Sequence, residues 1–280
     1  MTVWVEGATG KAGRRVVAAL TAAGVPVRAA SRHPGEARGS VTPVRFDWYD
    51  ETTWAPALGA ADALFVKGLD SDDNAAALVA RFLDAAPAGR VVLMSAAGVD
   101  RGPDHAPRRA VELAVQNSGK RWTVLRPNWF LQNFDEDEWV FAKALRETGE
   151  LYAGSGLVGF ADTRDLADAA VAVLTSPGHD GRGYTITGPE ALTFEEAARV
   201  LAAASGRPIR WREVTRAEHR EYFARSGRPA AWVDHMLHLF ELVKAGVFAS
   251  VTDDVRRLTG KAPRTLAAYA EQKWRPTSRR

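Results

Sequence analysis

Near its start the chain passes from an apolar, β-like run, Thr2–Glu6, into the glycine-spaced loop Gly7-Ala8-Thr9-Gly10-Lys11-Ala12-Gly13. A helical pattern follows, with Val16, Val17 and Leu20 on one side. Few arrangements satisfy such a junction. The first glycine bends the chain sharply, the second lets a ligand's pyrophosphate approach the backbone, and the third lets the helix pack closely on the strand. The helix then points unbonded N–H groups and the positive end of its dipole at the phosphates. This spacing predicts a βαβ unit built to hold a dinucleotide, with Gly7, Thr9, Gly10, Lys11, Ala12 and Gly13 around the phosphates.

The rhythm continues downstream. Val25–Ala30, Val41–Asp47, Asp62–Val66, Arg90–Ser95 and Trp122–Arg126 read as strands. Asn74–Ala85 and Arg108–Asn117 read as helices between them. Near-continuous apolar strands alternating with amphipathic helices imply a parallel sheet covered on both faces. Beyond residue 138 the pattern loosens. Glu138–Glu147 and Asp165–Leu174 read as helices and Tyr184–Thr187 as a short strand. Thr193 and Glu196 form a capping box that opens a helix closed by Gly206. Trp232–Ala245 and Leu266–Lys273 are further helices. The predicted class is α/β, a Rossmann-type doubly wound parallel sheet with a small, mostly helical C-terminal substrate region. Residues 1–190 form the dinucleotide-binding core with part of the substrate pocket. Residues 191–280 cap it within the same globular unit.

Composition narrows the function classes. With 280 residues, 46% of them hydrophobic, the chain can bury a full core. It has no cysteine, which excludes disulfides, thiolate metal sites and cysteine nucleophiles. His235, His238 and Glu241 share helical spacing without a metal-binding motif, so no metal is expected. The net charge of +3 comes with no basic stripe interleaved with aromatics, so no nucleic-acid partner is expected. No segment is apolar for long enough to cross a membrane, and the first residues do not read as a signal peptide. The expected compartment is the cytoplasm, the expected partner a small molecule, and a homodimer is allowed.

In parallel sheets ligands sit beyond the carboxyl ends of the strands. The second strand ends in Ser31-Arg32, where an NAD site usually carries an acid for the ribose 2′-hydroxyl. A hydroxyl and a guanidinium suit a 2′-phosphate instead, so the expected cofactor is NADPH/NADP. After the third strand come Asp47, placed to accept from an adenine amino group, and Trp48, placed to cover a ring face or to fill the core. Lys67 and Gly68 close the fourth strand beside the expected cofactor cleft, where Lys67 could touch the cofactor or donate a proton.

The segments GATGKAGRRVV, ASRHP, FDWYDETTWAPAL and SGKRWTVLRPNWFLQNF resemble the NmrA-like atypical short-chain dehydrogenases/reductases. Within that group the chain looks like the ergot-alkaloid type reductases, the agroclavine and festuclavine dehydrogenases. TGPEALTFEEAARVLAAASGRPI and LTGKAPRTLAAYAE fit the same subgroup. The resemblance spans nearly the whole chain. It implies either an NADPH-dependent reductase or a non-catalytic NADP sensor. It also implies that Pro127, Asn128, Trp129 and Phe130 lie near the nicotinamide, with Ser95 and Ala96 beside its ribose.

The chain has no tyrosine between Tyr49 and Tyr152, so it lacks the Tyr-x-x-x-Lys pair that protonates a carbonyl oxygen in typical members of the superfamily. His105-Ala106-Pro107-Arg108-Arg109 stands in the matching stretch, with His105 as a candidate acid and Arg109 its electrostatic partner. Without the tyrosine, hydride transfer to an imine, an iminium or a conjugated C=C bond is the expected reaction. Trp129 and Phe130 are expected to orient an aromatic or cationic, alkaloid-like substrate. A redox sensor and a quinone or ketone reductase are the alternatives.

Overall fold

The computed structural model describes residues 1–69 and 72–275. The strands are β1 Val3–Glu6, β2 Val27–Ser31, β3 Val41–Arg45, β4 Ala63–Val66, β5 Arg90–Met94, β6 Arg121–Pro127, β7 Glu150–Ala153, β8 Leu157–Val158, β9 Arg182–Ile186, β10 Leu192–Thr193 and β11 Arg210–Glu213. The helices are α1 Gly13–Ala22, α2 Trp54–Leu58, α3 Ala75–Ala85, α4 Pro107–Gln116, α5 Lys143–Glu147, α6 Thr163–Thr175, α7 Phe194–Ser205, α8 Arg216–Ala224, α9 Ala230–Lys244, α10 Asp254–Thr259 and α11 Leu266–Trp274. Among the described residues no helix is long and apolar enough to cross a membrane.

Contacts divide the chain into two compact units. One comprises Met1–Pro127, Thr163–Ile186 and Arg257–Gly260; the other comprises Asn128–Asp162, Thr187–Arg256 and the chain from Lys261. The chain therefore changes unit several times rather than once near residue 190. Residues 128–162 group with the helical C-terminal segment because their apolar partners lie there, far along the sequence.

The first unit carries a seven-stranded, wholly parallel sheet in the order β3-β2-β1-β4-β5-β6-β9. This is the α/β doubly wound sheet expected from the strand–helix rhythm. All four residues of β1 and of β4 are buried, as strands covered on both faces must be. On one face, Trp4, Leu64, Val91 and Leu93 pack with α2, α3 and α4. Trp4, Phe46, Trp48, Trp54 and Phe82 interlock there, mostly edge to face, with centroids 4.9–6.2 Å apart. By strand alternation the buried Val3, Val5, Phe65 and Val92 serve the other face, and α1 and α6 pack against each other. The strand order reverses direction between β1 and β4, which opens a crevice at their carboxyl ends.

Helix α4 is tied to the sheet by a buried ion network. Glu112, fully enclosed, accepts from Arg126 Nε at 2.9 Å, from Arg126 Nη2 at 2.8 Å and from Arg109 Nη1 at 3.1 Å. Arg109 Nε also donates to Asp104 at 3.2 Å, and Asp100 lies 3.5 Å from Arg126.

The second unit is built on rings. Trp129, Phe134, Phe141, Phe160, Phe194 and Phe240 form a continuous buried cluster. His219 lies 4.3 Å from the Phe240 ring centroid, and burial pulls its pKa down. The capping box of Thr193 and Glu196 opens α7, and Gly206 closes it at φ 63°. A second box, Thr215 with Glu218, opens α8, a helix the hydrophobic pattern alone did not reveal. The parallel pair β7–β11 also escapes the local pattern, since its partners lie some sixty residues apart. Glu138–Ala142 forms one wide helical turn before α5, with Asp137 accepting from the N–H groups of Trp139 and Val140.

Candidate functional site

The site begins where β1 runs out. Gly7 adopts φ 60°, and its carbonyl accepts from Gly10 N at 2.8 Å, folding the loop back on itself. Ala8 N donates to Ala30 O at 3.1 Å and so ties the loop to the end of β2. Thr9 and Gly10 are exposed and Lys11 half-buried. The N-cap of α1 is Ala12, which has no side-chain oxygen to satisfy the first-turn N–H groups. The loop thus presents bare backbone at a helix start, the arrangement that receives a pyrophosphate.

Beside it lies the end of β2. The Ser31 hydroxyl is buried and has no hydrogen-bond partner among the described residues, while Arg32 is exposed. The glycine loop and the uncapped helix start suit the pyrophosphate of a dinucleotide.

A carboxylate that the sequence reading passed over organises the neighbouring loops. Glu6, only 8% exposed, is the last residue of β1. Its Oε1 accepts from Trp48 Nε1 at 2.7 Å, and its Oε2 accepts from the backbone N–H groups of Lys67 at 2.7 Å and Gly68 at 2.9 Å. One side chain therefore joins the chain after β3 and after β4 to the base of the glycine loop. Burial pushes its pKa up, and the Lys67 charge and the three donors act against that rise. The available signal was an acid closing an otherwise apolar strand.

Several expected contacts take other forms. Trp48 does not offer a ring face to an adenine; it is buried, boxed by Phe46, Trp54 and Phe82, because its indole N–H is drawn in to Glu6. Asp47 is half-buried and closes a turn, its Oδ1 accepting from Tyr49 N at 3.0 Å. Pro127 closes β6, its carbonyl accepting from Ala97 N at 3.0 Å, with Ala96 half-buried alongside. The Asn128 amide is spent within its own unit: Nδ2 donates to Phe248 O and Oδ1 accepts from Trp129 N, both at 2.8 Å. Trp129 is a core ring, within 6.2 Å of Phe141, Phe194, Phe240 and Phe248, rather than an open wall; Phe130 is half-buried. His105 is exposed in the turn before α4, and Arg109 is engaged by Asp104 and Glu112. Among the described residues no group of His, Asp and Glu could hold a metal.

The structure instead gathers Lys67, Ser95 and Arg108 around one narrow cleft, walled by Leu69, Leu93, Met94 and Val111. Lys67 follows β4, Ser95 follows β5, and Arg108 stands on the first turn of α4. The sequence reading weighed His105 and Arg109 on either side of Arg108 and missed the residue between.

A parallel sheet reversing at β1, a glycine loop there and a ligand crevice at the strand ends define a dinucleotide-binding Rossmann protein. A family model described as NAD(P)H-binding matches residues 7–177. The NAD(P)H azoreductase of Xenophilus azovorans is 34% identical over 96% of both chains. A (4-alkanoyl-5-oxo-2,5-dihydrofuran-3-yl)methyl phosphate reductase of Streptomyces griseus is 35% identical over 96% of this chain and 97% of its own. The agroclavine dehydrogenase of Claviceps fusiformis is 30% identical over 96% of both. This chain belongs to the NAD(P)H-binding family and is an NAD(P)H-dependent oxidoreductase.

Proposed function

We propose that this protein is an NADPH-dependent reductase of a conjugated, electron-poor double bond in a small planar metabolite, with a C=C bond beside a carbonyl favoured over an iminium. The observation that carries the choice is the cleft of Lys67, Ser95 and Arg108. The Ser95 hydroxyl there, buried and without a hydrogen-bond partner among the described residues, suits a substrate whose oxygen gains negative charge as it is reduced. The Streptomyces relative, named for a substrate that holds an oxo-dihydrofuran, supports the same class. An imine or iminium of an alkaloid-like metabolite, the reaction expected in the absence of the tyrosine, is the second reading, and agroclavine dehydrogenase is among the relatives.

When bound, the cofactor supplies the hydride. The chain's own residues do the rest. The Gly7–Gly13 loop and the start of α1 receive the phosphates, Ser31 and Arg32 the 2′-phosphate. Glu6 holds the Lys67-Gly68 turn in place. Apolar walls exclude water and strengthen each polar contact inside them.

The reading is tested by NADPH oxidation at saturating cofactor against a conjugated lactone, a quinone, an azo dye and a cyclic iminium. Turnover should be fastest with the lactone or quinone. Turnover confined to the iminium would reverse the choice, and turnover with none would favour the sensor. A second expectation concerns Arg32→Ala. Loss of one charge-assisted contact should weaken NADPH binding about ten- to a hundredfold and leave NADH binding nearly unchanged. Equal loss for both cofactors, measured by titration of protein fluorescence, would remove Arg32 from the 2′-phosphate.

A further inference from the structure

We propose that Glu6 is a positioning residue for the cofactor, and that its negative charge, rather than its bulk alone, holds the turn after β4 in the shape that receives NAD(P)H. The inference rests on NAD(P)H binding at the glycine loop and is independent of which acceptor is reduced. β1 and β4 are neighbours in the sheet, so the loops leaving their carboxyl ends form two lips of the crevice. Glu6 is the last residue of β1 and stands directly before the glycine loop. The Lys67-Gly68 turn is the other lip. Gly68 takes the left-handed φ of 73°, and the two successive backbone N–H groups converge on Glu6 Oε2, at 2.7 and 2.9 Å. Converging N–H groups of this kind make an anion-binding concavity. Here the chain fills it with its own carboxylate.

The partners decide which protonation state fits. All three are donors: Trp48 Nε1 donates to Oε1, and the two backbone amides donate to Oε2. An ionised carboxylate accepts from all of them, and each contact is then charge-assisted, roughly twice as strong as a neutral one. A protonated Glu6 carries an O–H that none of these partners can accept, and it holds the turn through neutral bonds only. Burying the charge costs the fold. Burial is the largest influence on the Glu6 carboxyl and pushes its pKa up; the Lys67 charge and the three donors act the other way. Stability from this group is therefore fully present below the carboxylate's unfolded pKa and is lost as pH rises through the raised, folded one. Cofactor affinity takes the opposite sign. It is highest with Glu6 ionised and falls as pH drops through the same transition. A carboxylate that served the fold alone would leave affinity level, or raise it together with stability.

The test is calorimetric titration from neutral pH down to the edge of acid unfolding, with thermal melts over the same range. NADH is the first probe, because it lacks a 2′-phosphate that titrates in this range. NADP⁺ is titrated in parallel, and its 2′-phosphate cancels when variants are compared. In the unaltered protein affinity should fall about tenfold through the Glu6 transition, with a proton released on binding there. Glu6→Gln turns an N–H toward a donor. It should bind about tenfold more weakly at neutral pH and lose the acid-side fall. As pH drops, the unaltered protein should gain stability relative to Glu6→Gln. Trp48→Phe removes one donor to the carboxylate and leaves the turn's two amides in place, so it should move the acid-side fall about one unit to higher pH. That variant and the unaltered protein decide the matter if Glu6→Gln does not fold. Affinity that stays level or rises as pH falls, proton uptake on binding, or a Trp48→Phe profile that does not move would overturn the proposal.

Discussion

Replacing Gly13 by alanine should reduce NADPH affinity at least a hundredfold while the protein still folds. A methyl at this position would lie 2.1 Å from the Gly7 carbonyl oxygen, 2.6 Å from its carbon and 3.1 Å from Ala8 Cα. All three are backbone atoms, so no side chain can rotate away. Either the start of α1 moves outward or the Gly7–Ala12 loop opens, and both displace the N–H groups that face the phosphates. Overpacking of this kind typically costs about 1–3 kcal/mol of stability, and for a chain of this size that lowers Tm by roughly 2–10 °C. Binding should suffer more than folding, because the sheet's core lies elsewhere. Gly10 is a useful contrast. A Cβ there would meet only the Gly7 oxygen, at 3.3 Å, so Gly10→Ala should cost the fold little. Calorimetry with NADPH and thermal melts of both variants make the comparison. A Gly13→Ala protein that binds NADPH normally would show that the close approach at this junction serves packing alone.

The largest effect on stability should come from Glu112→Ala. Its carboxylate is fully enclosed and accepts from both Arg126 and Arg109. Removing it leaves the Arg126 guanidinium, itself 8% exposed, without its main counter-charge. Breaking one side of a buried pair costs about 3–5 kcal/mol, or roughly 10 °C in Tm here. The double variant Glu112→Leu with Arg126→Met should recover much of the loss, since two apolar groups leave no stranded charge. Because α4 carries Arg108, the single variant should also depress turnover, and the double variant should restore it only as far as α4 regains its seat. Urea unfolding of the three proteins measures the first claim. A single variant within about 1 kcal/mol of the unaltered chain would mean that Asp100 and Asp104 suffice to hold the arginines.

The strand–helix rhythm was legible because it is written in local periodicity. Each strand of the parallel sheet is a short apolar run and each helix an amphipathic one, so the α/β class needed no long-range information. The same holds for the first capping box, Thr193 with Glu196, and the second, Thr215 with Glu218, was there to be read by the same rule. The glycine loop was legible for a stronger reason: Gly7, at φ 60°, and Gly13, against the Gly7 backbone, are demanded by backbone geometry at a single junction.

The aromatic and charged residues near the site were not legible in that way. An indole that caps a ligand and an indole that fills a core look alike in sequence, since both need an apolar ring after a strand. What sends Trp48 inward is Glu6, 42 residues earlier, and what encloses Trp129 is a set of rings reaching to Phe248. Arg108 and Arg109 are neighbours of one type, and only the helix phase, set by Glu112 meeting Arg126, sends one to the ion network and the other to the cleft. By itself, then, the amino-acid sequence determined the parallel α/β class and the glycine loop, because these follow from local pattern and backbone sterics. Only the tertiary structure decided which rings are core, which carboxylate joins the loops and which cations share a cleft. Burial and pairing are properties of residues brought together from distant parts of the chain.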